Sequence, residues 1–178
     1  PIPTAEAETL LQQVQSNYES ADGLRATFTQ RTRSPFTEQA VSFDGTLLLQ
    51  GTKYRVETGQ QTLVTDGQTT WIYNPNTNQV IINRYENDET IITPDEIFTD
   101  YLSQYRIVEA RRVETGDSAI VALTLTADEA AAFYTEATVH IRRPDAMLTR
   151  VELEDRNGAT TRFQLDDVQL NPSISEGA

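Results

Sequence analysis

Between residues 24 and 168 the chain is cut into short runs in which apolar and polar residues alternate with a period of two, and most of these runs are separated by residues that turn a chain tightly. Leu24, Ala26 and Phe28 alternate with Arg25, Thr27 and Thr29, and Tyr54 and Val56 alternate with Lys53, Arg55 and Glu57. Alternation of this kind sends successive side chains to opposite faces of a strand, so each run has one apolar and one polar face. Runs at 43–49, 53–58, 61–65, 69–73 and 79–84 follow one another, with Gln50-Gly51-Thr52, Asp66-Gly67 and Asn74-Pro75-Asn76-Thr77-Asn78 among their connections. These spacings describe antiparallel hairpins joined in a meander. Further runs at 105–112, 118–126, 137–142, 148–155 and 160–168 are joined through Thr115-Gly116-Asp117, Arg143-Pro144-Asp145 and Arg156-Asn157-Gly158, which carry suitable turn chemistry.

Helical spacing interrupts this pattern in three places. Ala7, Leu10, Leu11, Val14 and Tyr18 recur on one face of a segment at 4–18 that Thr4 could cap. Thr93-Pro94-Asp95-Glu96 reads as a helix start, with acids at the positive end of the dipole, and is followed by a stripe of Ile97, Phe98, Tyr101, Leu102 and Tyr105. A short helical insertion capped by Thr126 is expected at 127–134. A sheet of about ten strands has to curl. The expected fold is therefore mainly β (α+β): an incomplete, half-open antiparallel β-barrel with helices covering its concave apolar face, as a single domain over 1–178.

Composition narrows the function. A net charge of −13 opposes nucleic-acid binding, which needs a positive surface to displace counterions from phosphates. Thirteen of the 14 basic residues are Arg and only Lys53 is Lys, while the 27 acids are spread along the chain; such a surface suits high salt, and a halophilic source is expected. No run reaches the roughly eighteen apolar residues of a membrane-spanning helix. The opening Pro1-Ile2-Pro3 reads as a mature or trimmed terminus. The absence of Cys excludes disulfides, thiolate catalysis and Cys-type zinc sites.

Nothing in the sequence points to bond chemistry. His140 is the sole histidine, flanked by Val139 and Ile141 on the opposite face of a strand, and it reads as solvent-side. Carboxylate pairs such as Asp95/Glu96, Asp128/Glu129 and Asp166/Asp167 are those expected on the solvated surface of an acidic chain. No phosphate loop, nucleophile elbow or dinucleotide fingerprint occurs. No enzyme activity, metal or cofactor is expected. The remaining signal is apolar and aromatic, and periodicity alone does not separate a filled core from a ligand cavity.

The run Asp66-Gly67-Gln68-Thr69-Thr70-Trp71-Ile72-Tyr73-Asn74-Pro75 resembles the D-G-x-x-x-W-x-Y-x-P segment of the periplasmic outer-membrane lipoprotein carrier (LolA) family. Phe28-Thr29-Gln30 is similar to its F-x-Q strand, Gly45-Thr46-Leu47 to its G-x-L strand and Lys53-Tyr54-Arg55 to its K-[FY]-R, all in the family's order. The resemblance implies a monomeric periplasmic carrier that takes acylated lipoproteins from an inner-membrane ABC transporter to an outer-membrane acceptor, holding their acyl chains in its concave interior. The cavity lining it implies is Tyr54, Val56, Trp71 and Tyr73 from the strands and Ile97, Phe98, Tyr101 and Leu102 from a lid helix, with Leu11 and Tyr18 from the first helix. Two departures stand out: Gln50-Gly51-Thr52 replaces the basic residue and Pro found in many members, so an arginine latch is not implied, and the chain stops at Ser175-Glu176-Gly177-Ala178 in place of a final F-x-F-x-x-P strand, for which C-terminal truncation or disorder is expected. An outer-membrane acceptor, a lipoprotein-sensing half-barrel or a general lipid-binding module remain alternatives.

Overall fold

A computed structural model describes residues 1–85, 105–115, 118–128, 132–174 and 176. One helix, α1 (Thr4–Glu19), precedes eleven strands: β1 (Leu24–Arg33), β2 (Ala40–Gln50), β3 (Lys53–Thr58), β4 (Thr62–Thr65), β5 (Thr69–Asn74), β6 (Gln79–Arg84), β7 (Tyr105–Thr115), β8 (Ser118–Ala127), β9 (Tyr134–Arg142), β10 (Met147–Asp155) and β11 (Thr160–Leu170). They form one antiparallel sheet in the order β6-β5-β4-β3-β2-β1-β11-β10-β9-β8-β7. Two meanders therefore run outward from a central pairing of the first and last strands, in which Phe28 stands opposite Leu165 and Gln30 opposite Phe163. The sheet is open: β6 and β7 end it and do not pair with each other.

The sheet bends where residues are inserted into the ladder. Register shifts interrupt β1/β11, β9/β10 and β7/β8, and Asp167 in β11 has a positive φ of 49°. Extra residues of this kind increase local twist and let a sheet curl. Turn chemistry holds the other end in shape. Gly51 (φ 60°) closes the β2–β3 hairpin, and Gly67 (φ 91°) sits in the β4–β5 turn, where the Asp66 carboxylate accepts hydrogen bonds from the Gln68 and Thr69 N–H groups at 2.8 Å each. Those two N–H groups hold the Asp66 carboxyl below its ordinary value of 3.8.

The core lies on one face of the sheet. Val121, Leu123 and Leu125 of β8, Ala137, Val139 and Ile141 of β9, and Leu148, Val151 and Leu153 of β10 are all buried, and so are Ala7, Leu10, Leu11, Val14 and Tyr18 of α1. The helix is fastened at both ends. The Ile2 N–H donates to the Ala110 carbonyl of β7 at 3.1 Å, and the Tyr18 hydroxyl accepts from the Leu148 N–H of β10 at 3.3 Å. Asn17 donates to the Asp145 carbonyl at 3.0 Å, Arg143 pairs with Glu6, and Arg142 pairs with Asp145 within the same β9–β10 turn. Burial pushes the Tyr18 phenol up to about 12.

Two sequence expectations are corrected. Thr4 does not cap α1: it is the first helical residue, Pro3 occupies the cap position, and no side chain caps the helix. The described ends of the segment at 127–134 are not helical, because Ala127 completes β8 opposite Tyr105 and Tyr134 opens β9 opposite Asp155. Cross-strand contacts override local helix preference here: the Tyr105 hydroxyl donates to the Tyr134 carbonyl at 2.9 Å. Residues 129–131 lie outside the described residues, as does the helix expected from Thr93 to Tyr105 except for Tyr105 itself, which begins β7.

Candidate functional site

Residues paired directly across an antiparallel ladder share a face, so the register assigns every side chain of β1–β6 to one side of the sheet. Phe28, Gly45 and Thr58 form one row, and Ala26, Leu47, Val56, Leu63, Ile72 and Ile81 form the next. A third row, Leu24, Leu49, Tyr54, Thr65 and Thr70, completes the concave face that is continuous with the core. The opposite face carries Arg25, Leu48, Arg55, Val64, Trp71 and Ile82 in one row and Glu57, Thr62, Tyr73 and Val80 in another.

Burial falls along this half of the concave face. Leu24, Ala26, Leu47, Leu49, Tyr54 and Thr65 are buried, whereas Phe43, Val56, Leu63, Ile72, Phe163 and Leu165 are only half-buried. The half-buried group makes an apolar strip next to the sealed core, and the contacts of α1 are concentrated on β7 and β10, away from it. Glycine shapes the strip. A Cβ on Gly45 would lie 2.7 Å from the Phe28 ring and 2.6 Å from the Glu57 carbonyl, so the missing side chain is what lets Phe28 lie across β2 and meet Phe43 edge to face with ring centroids 6.5 Å apart. The F-x-Q and G-x-L segments are thus two sides of one contact.

Of the residues expected to line a cavity, Tyr54 and Val56 share the concave face, the former buried and the latter half-buried. Leu11 and Tyr18 are buried under α1 in the sealed half. Trp71 and Tyr73 are corrected to the opposite face, where Trp71 stands between Val64 and Ile82; it is Ile72 that pairs with Leu63 on the concave side. Ile97, Phe98, Tyr101 and Leu102 lie outside the described residues. Sequence reasoning missed Leu63, Ile72, Phe163 and Leu165. The concave face reaches the first two only through successive pairings, Leu47 with Val56, Val56 with Leu63 and Leu63 with Ile72, which no single segment signals.

Ionisable groups do not converge on the strip. Among the described residues no group of three or more His, Cys, Asp or Glu could hold a metal ion. His140 lies half-buried on the opposite face, in line with Ala122 and Arg150, while Val139 and Ile141 are fully buried on the core side. Burial, with the Arg150 charge as a second cause, lowers its pKa below the ordinary 6.5. No described helix is long and apolar enough to cross a membrane.

Comparisons place this architecture among known proteins. A 14% identical uncharacterized conserved protein from Thermus thermophilus superposes with a TM-score of 0.58 over 94% of this chain and 90% of its own. The lipoprotein LppX of Mycobacterium tuberculosis, 11% identical, gives 0.57 over 97% and 99%. A putative outer membrane lipoprotein-sorting protein domain from Vibrio parahaemolyticus, 12% identical, gives 0.51 over 98% and 96%. At such identities these likenesses concern the fold. No curated protein sequence matches the chain. The sequence pattern of the family described as "Outer membrane lipoprotein carrier protein LolA" matches residues 19–178, from the last residue of α1 onward, and by that match the chain belongs to the LolA family.

Proposed function

We propose that the chain is a periplasmic carrier that takes the acyl chains of lipoproteins onto its half-buried concave strip, receiving them from an inner-membrane ABC transporter and yielding them to an outer-membrane acceptor. The observation that carries this reading is the strip itself: Phe43, Val56, Leu63, Ile72, Phe163 and Leu165 face the inside of a curved, open sheet and stay only half-buried beside a sealed core. An acyl chain exposed to water loses about 0.8 kcal/mol per CH₂ relative to an apolar surrounding, so transit needs an apolar container. Release needs that container to bind with moderate strength, which suits a strip partly open to solvent better than an enclosed cavity. Hand-over of this kind makes and breaks no covalent bond, so the reading requires no catalytic group.

The test is release of an acylated lipoprotein from spheroplasts. The folded chain should free it as a soluble complex, and Leu63→Lys, which places a charge in the strip, should reduce the yield at least about tenfold while the protein stays folded by circular dichroism. No release by the verified folded wild type, or release unaffected by Leu63→Lys, would overturn the reading.

A further inference from the structure

From residue 67 to residue 85 the chain contains no Asp or Glu, the longest such stretch in a sequence with 27 of them. This stretch is the β5–β6 hairpin, and it exposes apolar side chains on both of its faces. Val80 and Ile82 are 54% and 63% exposed on the outer face beside Tyr73 and Trp71, and Ile81 is 55% exposed on the concave face. Strand β6 also ends the sheet, and among the described residues nothing pairs with its outer side. Natural edge strands are normally guarded by charge, Pro or a bulge. Here the only charged side chain is Arg84 at the strand's end.

The hydrogen-bond phase shows which backbone groups point outward. The Tyr85 N–H donates inward to the Gln68 carbonyl at 2.7 Å, so Asn83, Ile81 and Gln79 also face β5, and the N–H and C=O groups of Val80, Ile82 and Arg84 face out. We propose that β6 is the surface through which two copies of this chain associate, paired antiparallel about a two-fold axis at Ile81. This register sets Val80 opposite Ile82 of the second copy, so that outward groups meet outward groups. It sets Ile81 opposite its own counterpart and Gln79 opposite Asn83, so no like charges meet across these pairs. On the outer face the row continues from Trp71 through Ile82 to Val80 and Tyr73 of the second copy. Charge selects the second copy as occupant: two chains of net charge −13 repel over most approaches, and the acid-free hairpin is where they can come together. This proposal departs from the monomer that the resemblance implies, and it does not depend on the carrier reading.

The test is sedimentation equilibrium from micromolar to millimolar chain, at low and at molar salt. The mass should rise from 20.0 kDa toward twice that value, and more readily at high salt, where the repulsion is screened. Ile81→Lys, which would put two ammonium groups face to face, should weaken association at least about tenfold, while Phe36→Lys, a change at an exposed apolar side chain in the β1–β2 connection, should not. Because the chain has no cysteine, Ile81→Cys supplies a single thiol; non-hydrogen-bonded antiparallel partners lie about 4.5 Å apart at Cα, within disulfide range, so mild oxidation should link two chains. A mass of one chain under every condition, association that survives Ile81→Lys, or a dimer that Ile81→Cys does not cross-link would overturn the proposal. So would a monomer that floats with phosphatidylcholine vesicles and loses that binding in Ile81→Lys, which would identify a lipid surface as the occupant.

Discussion

The concave face of this sheet has two halves made from the same kinds of residue and treated differently. On β8–β10, Leu123, Val139, Ile141 and Val151 are almost fully buried beneath α1, which is held in place by Ile2, Asn17 and Tyr18. On β2–β5, Phe43, Val56, Leu63 and Ile72 share that face and remain half-buried. Hydrophobicity alone does not distinguish the halves. What differs is where the helix is anchored, and this gives the sheet a stable half that maintains its curvature and a half with apolar surface to spare.

Five single substitutions, two of them read through a pH dependence, would break or sharpen this contrast. Leu123→Ala in the sealed half should cost about 3 kcal/mol in urea unfolding, because a fully enclosed site cannot collapse around the lost methyls. A cost near that of an exposed substitution would remove the distinction. Gly45→Ala should cost about 2 kcal/mol by overpacking, and adding Phe28→Ala should not restore wild-type stability, since the Glu57 carbonyl still meets the new Cβ. Full rescue would place the whole constraint on the Phe28 ring.

Tyr18→Phe should cost about 1–2 kcal/mol by leaving the Leu148 N–H without its acceptor. It should also change the alkaline limb. The folded phenol pKa, about 12, lies above the ordinary 10.0, so the stability linked to this group is complete below pH 10 and is lost as pH rises toward 12. Thermal melts of Tyr18→Phe should be flatter than wild type over that window. Leu63→Ala in the open half should cost under about 1 kcal/mol, because its side chain is already partly solvated, yet it should lower lipoprotein release more than Leu123→Ala does.

The smallest effect is expected at His140. Its folded pKa is depressed below 6.5, so the unfolded chain binds the proton more readily, and stability is full above pH 6.5 and declines as the pH falls below it. His140→Gln should reduce that decline in melting temperature between pH 7 and pH 5. An unchanged profile would show that the Arg150 side of the sheet does not sense protonation there.

Much of the strand plan was legible because alternation and turn chemistry are local. Asp66-Gly67 marks its hairpin through two side-chain-to-backbone bonds, and Gln50-Gly51-Thr52 through a single residue of positive φ. The phase of β5 was not legible. Trp71 and Tyr73 on one face and Ile72 on the other are both apolar readings of the same six residues, and only pairing with Leu63 and Val64 decides between them. The ends of the segment at 127–134 misled for a related reason: its alanines and acids favour a helix locally, while Ala127 and Tyr134 are claimed by partners far along the chain.

By itself the sequence determined a mainly β chain with an amphipathic first helix, an acidic surface lacking cysteine, and ordered motifs of the LolA family. These depend on residues close together along the chain, where spacing dictates direction. Tertiary structure alone decided that β1 pairs with β11 at the centre of the sheet, that α1 packs against β7 and β10, and that Leu63 and Ile72, not Trp71 and Tyr73, face inward. Each of these is a choice of partner between segments far apart in the chain, and such a choice is set by register and burial over the whole sheet, which no single segment encodes.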